Sequence, residues 1–282
     1  MSHKPVLEND FLKIVIDPAM GGRIISFYDK KRHFEQLWYD SGREPMDPAL
    51  DYDGNFAGGM DELLPCDIPE RNYPDHGELW CLPVTSSLCG DQLTVSGELP
   101  ISKLKYQRTM YLQFNTLVCD CRISNLHPTE TREFLWKLHA ALYIEPGDRF
   151  FAPCRCVQAA DPGNWSQLPD SMPRQWLKSY VIPEFTGGSD FFYLTDQQQG
   201  KLELHRSNGS KFVCNFDCGV FPLTWVFVSL GRLNNSRTLI MEPCTNYPMS
   251  LEDASSHGVC ARLSPGASLC TKIRWSVENT DQ

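Results

Sequence analysis

The sequence predicts an all-β protein built as one large antiparallel β-sandwich. Three observations carry this prediction. Apolar residues alternate with polar ones at a period of two in several segments, and no window shows a sustained 3.6-residue period behind a capping residue. The 20 prolines and 19 glycines are spread along the whole chain, which is typical of many short strands separated by turns. No shift in composition marks a boundary, so we predict a single domain over residues 1–282, made of two stacked antiparallel sheets.

The strongest strand patterns lie at 104–114, 134–144 and 267–277, where apolar residues occupy every second position over a long run. Shorter strands are predicted at 11–16, 22–28, 93–97, 117–124, 191–195, 201–205, 211–216, 224–230 and 238–243. Two long segments, 40–75 and 158–190, are rich in Asp, Gly and Pro and carry no period. Loops of that length in a compact domain are usually functional.

Charge and composition restrict the class of ligand. The formal net charge is −9, which argues against nucleic acid or an anionic membrane as a partner, since both reward clustered Lys and Arg. The N-terminal residues do not have the pattern of a secretory signal, and no apolar stretch approaches the ~20 residues of a membrane helix. We therefore predict a soluble cytoplasmic protein, a monomer or weak homodimer, that binds a small neutral molecule.

Twelve cysteines are many for such a chain. Cys119 and Cys121, like Cys154 and Cys156, are spaced to share one face of a strand. Structural zinc sites usually separate their cysteines by two to four residues on a turn, so packed or surface thiols are favoured over a metal site.

A segment rich in functional side chains covers 58–65 and 73–80. It places several carboxylates, His76 and Trp80 in what we expect to be a loop, where ligands are often held. The alternative is that Asp61, Glu62, Asp75 and Glu78 are solvated turn carboxylates.

Two further residues are candidates for proton transfer. His139 lies on the less apolar face of strand 134–144, opposite Trp136 and Leu138, and histidine exchanges protons near neutral pH. Glu242 ends an apolar strand and precedes a proline, which suits a carboxylate held at the rim of a cleft. Each residue could equally serve a structural hydrogen bond or ion pair.

Arg108 falls on the apolar face of strand 104–114. A buried guanidinium needs a partner, so Arg108 either neutralises a site carboxylate or anchors a structural ion pair. Aromatic residues near these segments could stack on a sugar ring or belong to the core: Trp80, Trp136, Phe221 and Trp225.

In their order along the chain, several short motifs resemble the aldose 1-epimerase, or galactose mutarotase-like, family, and within it an atypical bacterial branch. They are residues 12–16 leading to 21–26, the run 58–65 followed by 76–78, the arginine-bearing 106–109, the histidine-bearing 135–139, and Glu242-Pro243 followed by 246–248. The resemblance covers most of the chain and implies that family's large antiparallel sandwich.

The resemblance also implies roles. Glu242 would be the general base at the anomeric hydroxyl, His139 the general acid at the ring oxygen, and no cofactor or metal would be needed. The remaining residues implied to contact or support the sugar are His76, Glu78, Arg108, Asp190, Trp225 and Arg23.

Three functions follow from these observations. The leading hypothesis is an isomerase that interconverts the anomers of a free monosaccharide or related sugar acid. A non-catalytic carbohydrate-binding protein on the same fold is the second. The third is a glycoside hydrolase or lyase, which normally needs two carboxyl groups; Glu242 with Asp61, Glu62 or Glu78 could supply them.

Overall fold

The computed structural model describes residues 4–43, 51–160, 174–175, 179–247 and 249–280. Parts of both long segments singled out above, and Pro248 of the last motif, lie outside these residues. The strands, in chain order, are β1 (Val6–Glu8), β2 (Leu12–Asp17), β3 (Arg23–Asp29), β4 (Phe34–Glu35), β5 (Gly59–Leu63), β6 (Thr85–Cys89), β7 (Gln92–Glu98), β8 (Leu104–Gln113), β9 (Thr116–Asn125), β10 (Arg132–Phe134), β11 (Lys137–Tyr143), β12 (Arg149–Phe151), β13 (Cys154–Ala159), β14 (Arg174–Gln175), β15 (Ser179–Val181), β16 (Ser189–Gln197), β17 (Lys201–His205), β18 (Ser210–Asn215), β19 (Leu223–Leu230), β20 (Arg237–Cys244), β21 (Ala261–Leu263) and β22 (Ser268–Asn279).

Two large antiparallel sheets contain nearly all of these strands. Over the described residues, the larger sheet has 11 strands in the order β1-β2-β3-β5-β11-β20-β19-β16-β13-β14, with β4 paired to β3. The smaller sheet has nine, in the order β15-β12-β17-β18-β22-β9-β8-β7-β6, and β10 and β21 form a separate two-stranded antiparallel sheet. The predicted all-β sandwich is confirmed.

Among the described residues, helix is confined to short pieces. The described α-helices are α1 (Tyr52–Asn55) and α2 (Leu251–Ser256), and 3₁₀ turns cover Ser41–Arg43 and Leu79–Cys81. None of the helices in the described part of the chain could cross a membrane.

The expected loop at 58–65 is instead largely a strand. Residues Gly59–Leu63 form β5, which pairs with β11 in the middle of the larger sheet, and all five residues are buried. The prediction was wrong because Asp61 and Glu62 break the apolar alternation, and because β5 carries a polar group on each face. A strand whose carboxylates are neutralised by neighbouring strands has no visible period in its own sequence.

The main core fills the space between the two sheets. In β11, Leu138, Ala140 and Leu142 belong to this core, whereas Ala141 belongs to a smaller cluster on the opposite face. Successive side chains of a strand point to opposite faces. The odd-numbered residues of β11, including Lys137 and His139, therefore lie on the face of the larger sheet that is turned away from the smaller sheet.

The paired cysteines behave as packed side chains. Cys119 and Cys121 lie in β9 and face the core between the sheets. Burial raises the pKa of the Cys119 thiol to about 12, which disfavours the thiolate form that binds metals.

Candidate active site

A cavity of about 430 Å³ opens on the outer face of the larger sheet. Its floor comes from β11, β16, β19 and β20, and its walls from α1, the segment 67–76 and the turn between β19 and β20. The volume suits a small ligand, since such sites commonly measure ~300–1,000 Å³. His139, Glu242 and His76 all line this cavity.

Strand register brings the polar floor together. The pairing of Lys137 with Cys244 and of Ala140 with Met241 places His139 directly opposite Glu242 on β20. On the other side of β11, His139 is paired with Asp61. Directly opposed residues in antiparallel strands have Cβ atoms ~4.5–5.5 Å apart. Asp61, His139 and Glu242 therefore form one row across three adjacent strands.

Asp61 holds His139 in one orientation. Asp61 Oδ1 lies 2.9 Å from His139 Nδ1, and Asp61 Oδ2 accepts hydrogen bonds from Arg23 Nη2 at 2.7 Å and from the Tyr52 hydroxyl at 3.0 Å. Burial opposes ionisation of Asp61, but Arg23 and His139 lower its pKa to about 2. An ionised carboxylate at Nδ1 selects the Nδ1–H tautomer. Nε2 is then the ring nitrogen available to exchange a proton with a ligand.

Lys137 holds Glu242 by an ion pair. Its Nζ lies 2.8 Å from Glu242 Oε2 and 2.5 Å from Asp67 Oδ1. The same ammonium group sits 4.1 Å from the centre of the Trp225 ring, a cation–π contact. Burial disfavours the charged lysine, but Asp67 and Glu242 outweigh it and raise its pKa. Lys137 is therefore charged at neutral pH and fixes one oxygen of Glu242.

His76 forms part of the cavity wall. Its ring stacks on Tyr52 with 4.1 Å between centroids, and its Nδ1 lies 2.9 Å from Asp75 Oδ1. Burial lowers the pKa of His76, but the hydrogen bond to Asp75 and the charge of Asp67 raise it above the ordinary value. The next residue, Gly77, has φ +77°, and a Cβ there would lie 2.3 Å from the Leu64 carbonyl oxygen. Only glycine fits there, so the loop conformation that presents His76 depends on Gly77.

An apolar strip borders the polar row. Phe227 on β19 is paired with Phe191 on β16 and with Ile240 on β20, and all three line the cavity. They lie two residues along each strand from the row that contains Glu242 and Trp225, on the same face. The floor thus offers hydrogen-bonding groups on one side and an apolar surface on the other.

Three residues predicted to contact the sugar lie outside the cavity. The Glu78 carboxylate accepts the backbone N–H groups of Ile101 and Ser102 at 2.7 and 2.9 Å. Arg108 pairs with Glu62 at 2.9 Å in the core between the sheets. Of the two roles open for Arg108, the structure therefore assigns it the structural ion pair.

The third is Asp190, which is fully buried and accepts a hydrogen bond from the Tyr180 hydroxyl. Its chain neighbours, Ser189 and Phe191, line the cavity instead. The physical reason is the two-residue period of β16: adjacent residues face opposite sides of the sheet.

Two more predicted residues lie behind the cavity surface. Trp225 is fully buried, donates from Nε1 to the Asn246 carbonyl at 3.2 Å and packs against Lys137. Arg23 is buried beneath Asp61. Both support residues that line or adjoin the cavity and do not form its surface.

The carboxylates considered for a hydrolase are engaged elsewhere. Glu62 accepts hydrogen bonds from Tyr106, Arg108 and Trp136 on the core side of β5. Asp61 is occupied by the three groups described above. Asp67 lines the cavity with Glu242. The ammonium group of Lys137 holds both carboxylates together, so they are not placed on opposite sides of a glycosidic bond.

Sequence reasoning did not assign a role to Lys137, Asp67 or Tyr52. Lys137 carried a usable signal, because a lysine two residues from His139 in an apolar strand must share its face and find a partner. Asp67 and Tyr52 lie outside any periodic segment. Their place in the site depends on where the chain turns, which no pattern in the sequence shows.

Comparison with solved structures places this architecture among known folds. The Slr1438 protein of Synechocystis sp. PCC 6803 superposes with a TM-score of 0.79 at 16% identity, covering 100% of this chain and 97% of its own. The fold is that of the galactose mutarotase-like proteins.

Two further neighbours carry that family's name. An Escherichia coli K12 protein provisionally named an aldose 1-epimerase superposes with a TM-score of 0.74 at 16% identity, over 98% of this chain and 99% of its own. A galactose mutarotase-like protein of Lactobacillus casei gives 0.70 at 13% identity, over 98% and 100%. No family model and no curated protein sequence matches the chain.

Proposed function

We propose that the protein is an aldose 1-epimerase-like isomerase that interconverts the anomers of a monosaccharide bound in this cavity. The observation that carries the proposal is the pair His139 and Glu242, opposed on adjacent strands and lining one cavity. Mutarotation needs one group to remove a proton while another supplies one, both close to a single sugar ring. The fold supports the proposal, although a fold by itself does not determine a function.

The reaction assigns one role to each residue. Glu242 takes the proton from the O1 hydroxyl, and its carboxylate is well suited because Lys137 holds only one of its oxygens. His139, protonated at both ring nitrogens, gives the Nε2 proton to the ring oxygen as the C1–O5 bond breaks. The product is the open-chain aldehyde.

Rotation about C1–C2 then presents the other face of the aldehyde. The C5 hydroxyl then attacks C1 and gives its proton to Nε2 of His139. Glu242 returns to O1 the proton it had taken, so that the catalyst is regenerated. Each positioned acid or base contributes roughly 10²–10⁴-fold to the rate. Asp61 engages Nδ1 of His139, so the proton that moves in this cycle is the one on Nε2.

The test is anomer exchange measured by polarimetry and by NMR over a panel of aldoses. We expect the wild type to accelerate at least one sugar, and His139→Ala and Glu242→Gln each to lose most of that rate. His257→Ala and Glu252→Gln are matched controls, because both residues lie on the exposed surface at α2, away from the cavity.

Two results would contradict the proposal. A wild type that binds sugars by isothermal titration but accelerates none favours the non-catalytic carbohydrate-binding protein. If both active-site variants keep full activity, the acid and the base lie elsewhere.

A further inference from the structure

Tyr52 occupies a central place in the cavity that none of the assigned roles explains. It is the first residue of α1, is 2% exposed, and lines the cavity beside both histidines. Three parts of the residue make separate contacts: the hydroxyl, the ring and the backbone N–H.

The hydroxyl joins the pair formed by Asp61 and His139. Its oxygen lies 3.0 Å from Asp61 Oδ2 and 3.1 Å from His139 Nδ1. Because Asp61 Oδ1 already accepts the Nδ1 proton, the hydroxyl donates to Oδ2, and its oxygen remains beside the Nδ1–H as a second acceptor. Burial and the charge of Asp61 raise the pKa of Tyr52, so the hydroxyl keeps its proton and this arrangement persists.

The ring and backbone of Tyr52 hold His76. The rings of Tyr52 and His76 stack with an interplanar angle of 9° and 4.1 Å between centroids, and Trp80 makes a T-shaped contact with Tyr52 at 5.0 Å between centroids. The Tyr52 N–H also donates to Asp75 Oδ2 at 3.1 Å, and the other oxygen of that carboxylate bonds His76 Nδ1. His76 has φ +58°, a conformation that a non-glycine residue keeps only when its surroundings hold it.

We propose that Tyr52 is a positioning residue for both histidines, holding His139 through its hydroxyl and His76 through its ring. The catalytic consequence rests on the proposed function; the structural consequence does not. The hydroxyl keeps the reactive nitrogen of His139 aimed into the cavity, whereas the ring keeps His76 in the wall where a sugar hydroxyl would meet it. The two functions are separable because they belong to different atoms.

Two variants separate them. Tyr52→Phe removes the hydroxyl and keeps the stacked ring, and Tyr52→Leu removes both. Tyr143→Phe is the matched control, since Tyr143 lies on β11 with His139 but its hydroxyl bonds the surface residue Glu145 at 3.1 Å. Circular dichroism and thermal unfolding establish that each variant is folded before it is measured.

The first measurement is kinetic, on whichever sugar the wild type turns over. We expect Tyr52→Phe to lower kcat about tenfold, the size of one lost hydrogen bond to a charged group, with KM unchanged. Tyr52→Leu should show the same loss of kcat and, in addition, a several-fold rise in KM. Tyr52→Phe should not show that rise, because it keeps the stacked ring. If Tyr52 only stabilised the fold, kcat and KM would change together with the loss of stability, and they would do so in both Tyr52→Phe and Tyr52→Leu.

The second measurement is independent of activity. Long-range ¹H–¹⁵N spectra of ¹⁵N-histidine-labelled protein report which ring nitrogen carries the proton and how mobile each ring is. We expect the Nδ1 resonance of His139 to move in Tyr52→Phe with His76 unaffected, and the His76 resonances to broaden only in Tyr52→Leu.

The outcomes separate this inference from the proposed function. If the wild type turns over no sugar, the proposed function fails, and the spectra alone decide whether Tyr52 positions the histidines. An unchanged His139 resonance and unchanged kcat in Tyr52→Phe overturn the role of the hydroxyl. Identical His76 spectra and identical KM in the Phe and Leu variants overturn the role of the ring.

Discussion

Replacing Lys137 tests how strongly the buried charges of the site affect the stability of the protein. The Lys137 side chain is 3% exposed and its Nζ pairs with Asp67 at 2.5 Å and Glu242 at 2.8 Å. Replacing it by Met, of similar length, removes the cation and leaves two buried carboxylates without their partner. Breaking a buried ion pair in this way costs about 3–5 kcal/mol, and the lost contact with Trp225 adds up to ~2 kcal/mol.

The free energy of unfolding should therefore fall by roughly 4 kcal/mol or more in Lys137→Met. For a chain of 282 residues this corresponds to a drop of roughly 7 °C in Tm. The assay is urea unfolding followed by circular dichroism, with thermal unfolding as a second measure. Lys272→Met is the control, since Lys272 pairs with Asp120 at 3.0 Å on the exposed surface and should change stability little.

The pH dependence of this effect has a definite sign. The folded-state pKa of Lys137 is raised. The free energy by which charged Lys137 stabilises the folded protein is therefore fully present below the unfolded pKa of ~10.4, and it is lost as pH rises through the folded-state pKa. The difference between wild type and Lys137→Met should therefore stay constant from neutral pH to about pH 9.

A second variant identifies the cause. Lys137→Met/Glu242→Gln removes one of the two orphaned charges and should recover part of the lost stability. A loss below about 1 kcal/mol in the single variant, or no recovery in the double variant, would refute the argument that uncompensated buried charge dominates.

Three further predictions concern Asp61, Arg108 and Gly77. Asp61 has a folded-state pKa of about 2. Its ionised form therefore stabilises the folded protein by roughly 2–3 kcal/mol above the unfolded pKa of ~3.9, and this contribution is lost as pH falls towards 2. Urea unfolding of Asp61→Asn between pH 2 and 5 should lack this acid-dependent loss. Arg108→Met should cost about 3–5 kcal/mol by leaving the buried charge of Glu62 without its cation, yet the folded variant should keep its kcat/KM because Arg108 lies in the core. Gly77→Ala forces a Cβ to 2.3 Å from a carbonyl oxygen, so we expect lower Tm and a raised KM through displacement of His76.

Each of these has a result that contradicts it. An Asp61→Asn protein with the wild-type acid profile means that another group carries the acid sensitivity. Loss of sugar turnover in fully folded Arg108→Met would return Arg108 to the binding site, where the family resemblance had placed it. An unchanged KM in Gly77→Ala would separate His76 from substrate binding.

Much of the fold was determined by local pattern. The period of two over 104–114 predicted β8 (Leu104–Gln113) to within a residue, because burying one face of a strand requires that alternation. The same pattern put His139 on the face opposite Leu138, which the core membership of Leu138 and the cavity position of His139 confirm. It failed at β5, where carboxylates on both faces are neutralised by partners that lie far away in the sequence.

The site was only partly visible in the sequence. Residue type and motif order singled out His139, Glu242 and His76, and all three line one cavity. The same reasoning could not distinguish the adjacent carboxylates of Asp61 and Glu62. Asp61 orients His139, whereas Glu62 pairs with Arg108 in the core. Which face of a strand meets the cavity, and which loop residue completes its wall, depends on strand register and chain crossings. Those are long-range pairings, and no single segment contains the energy that decides them.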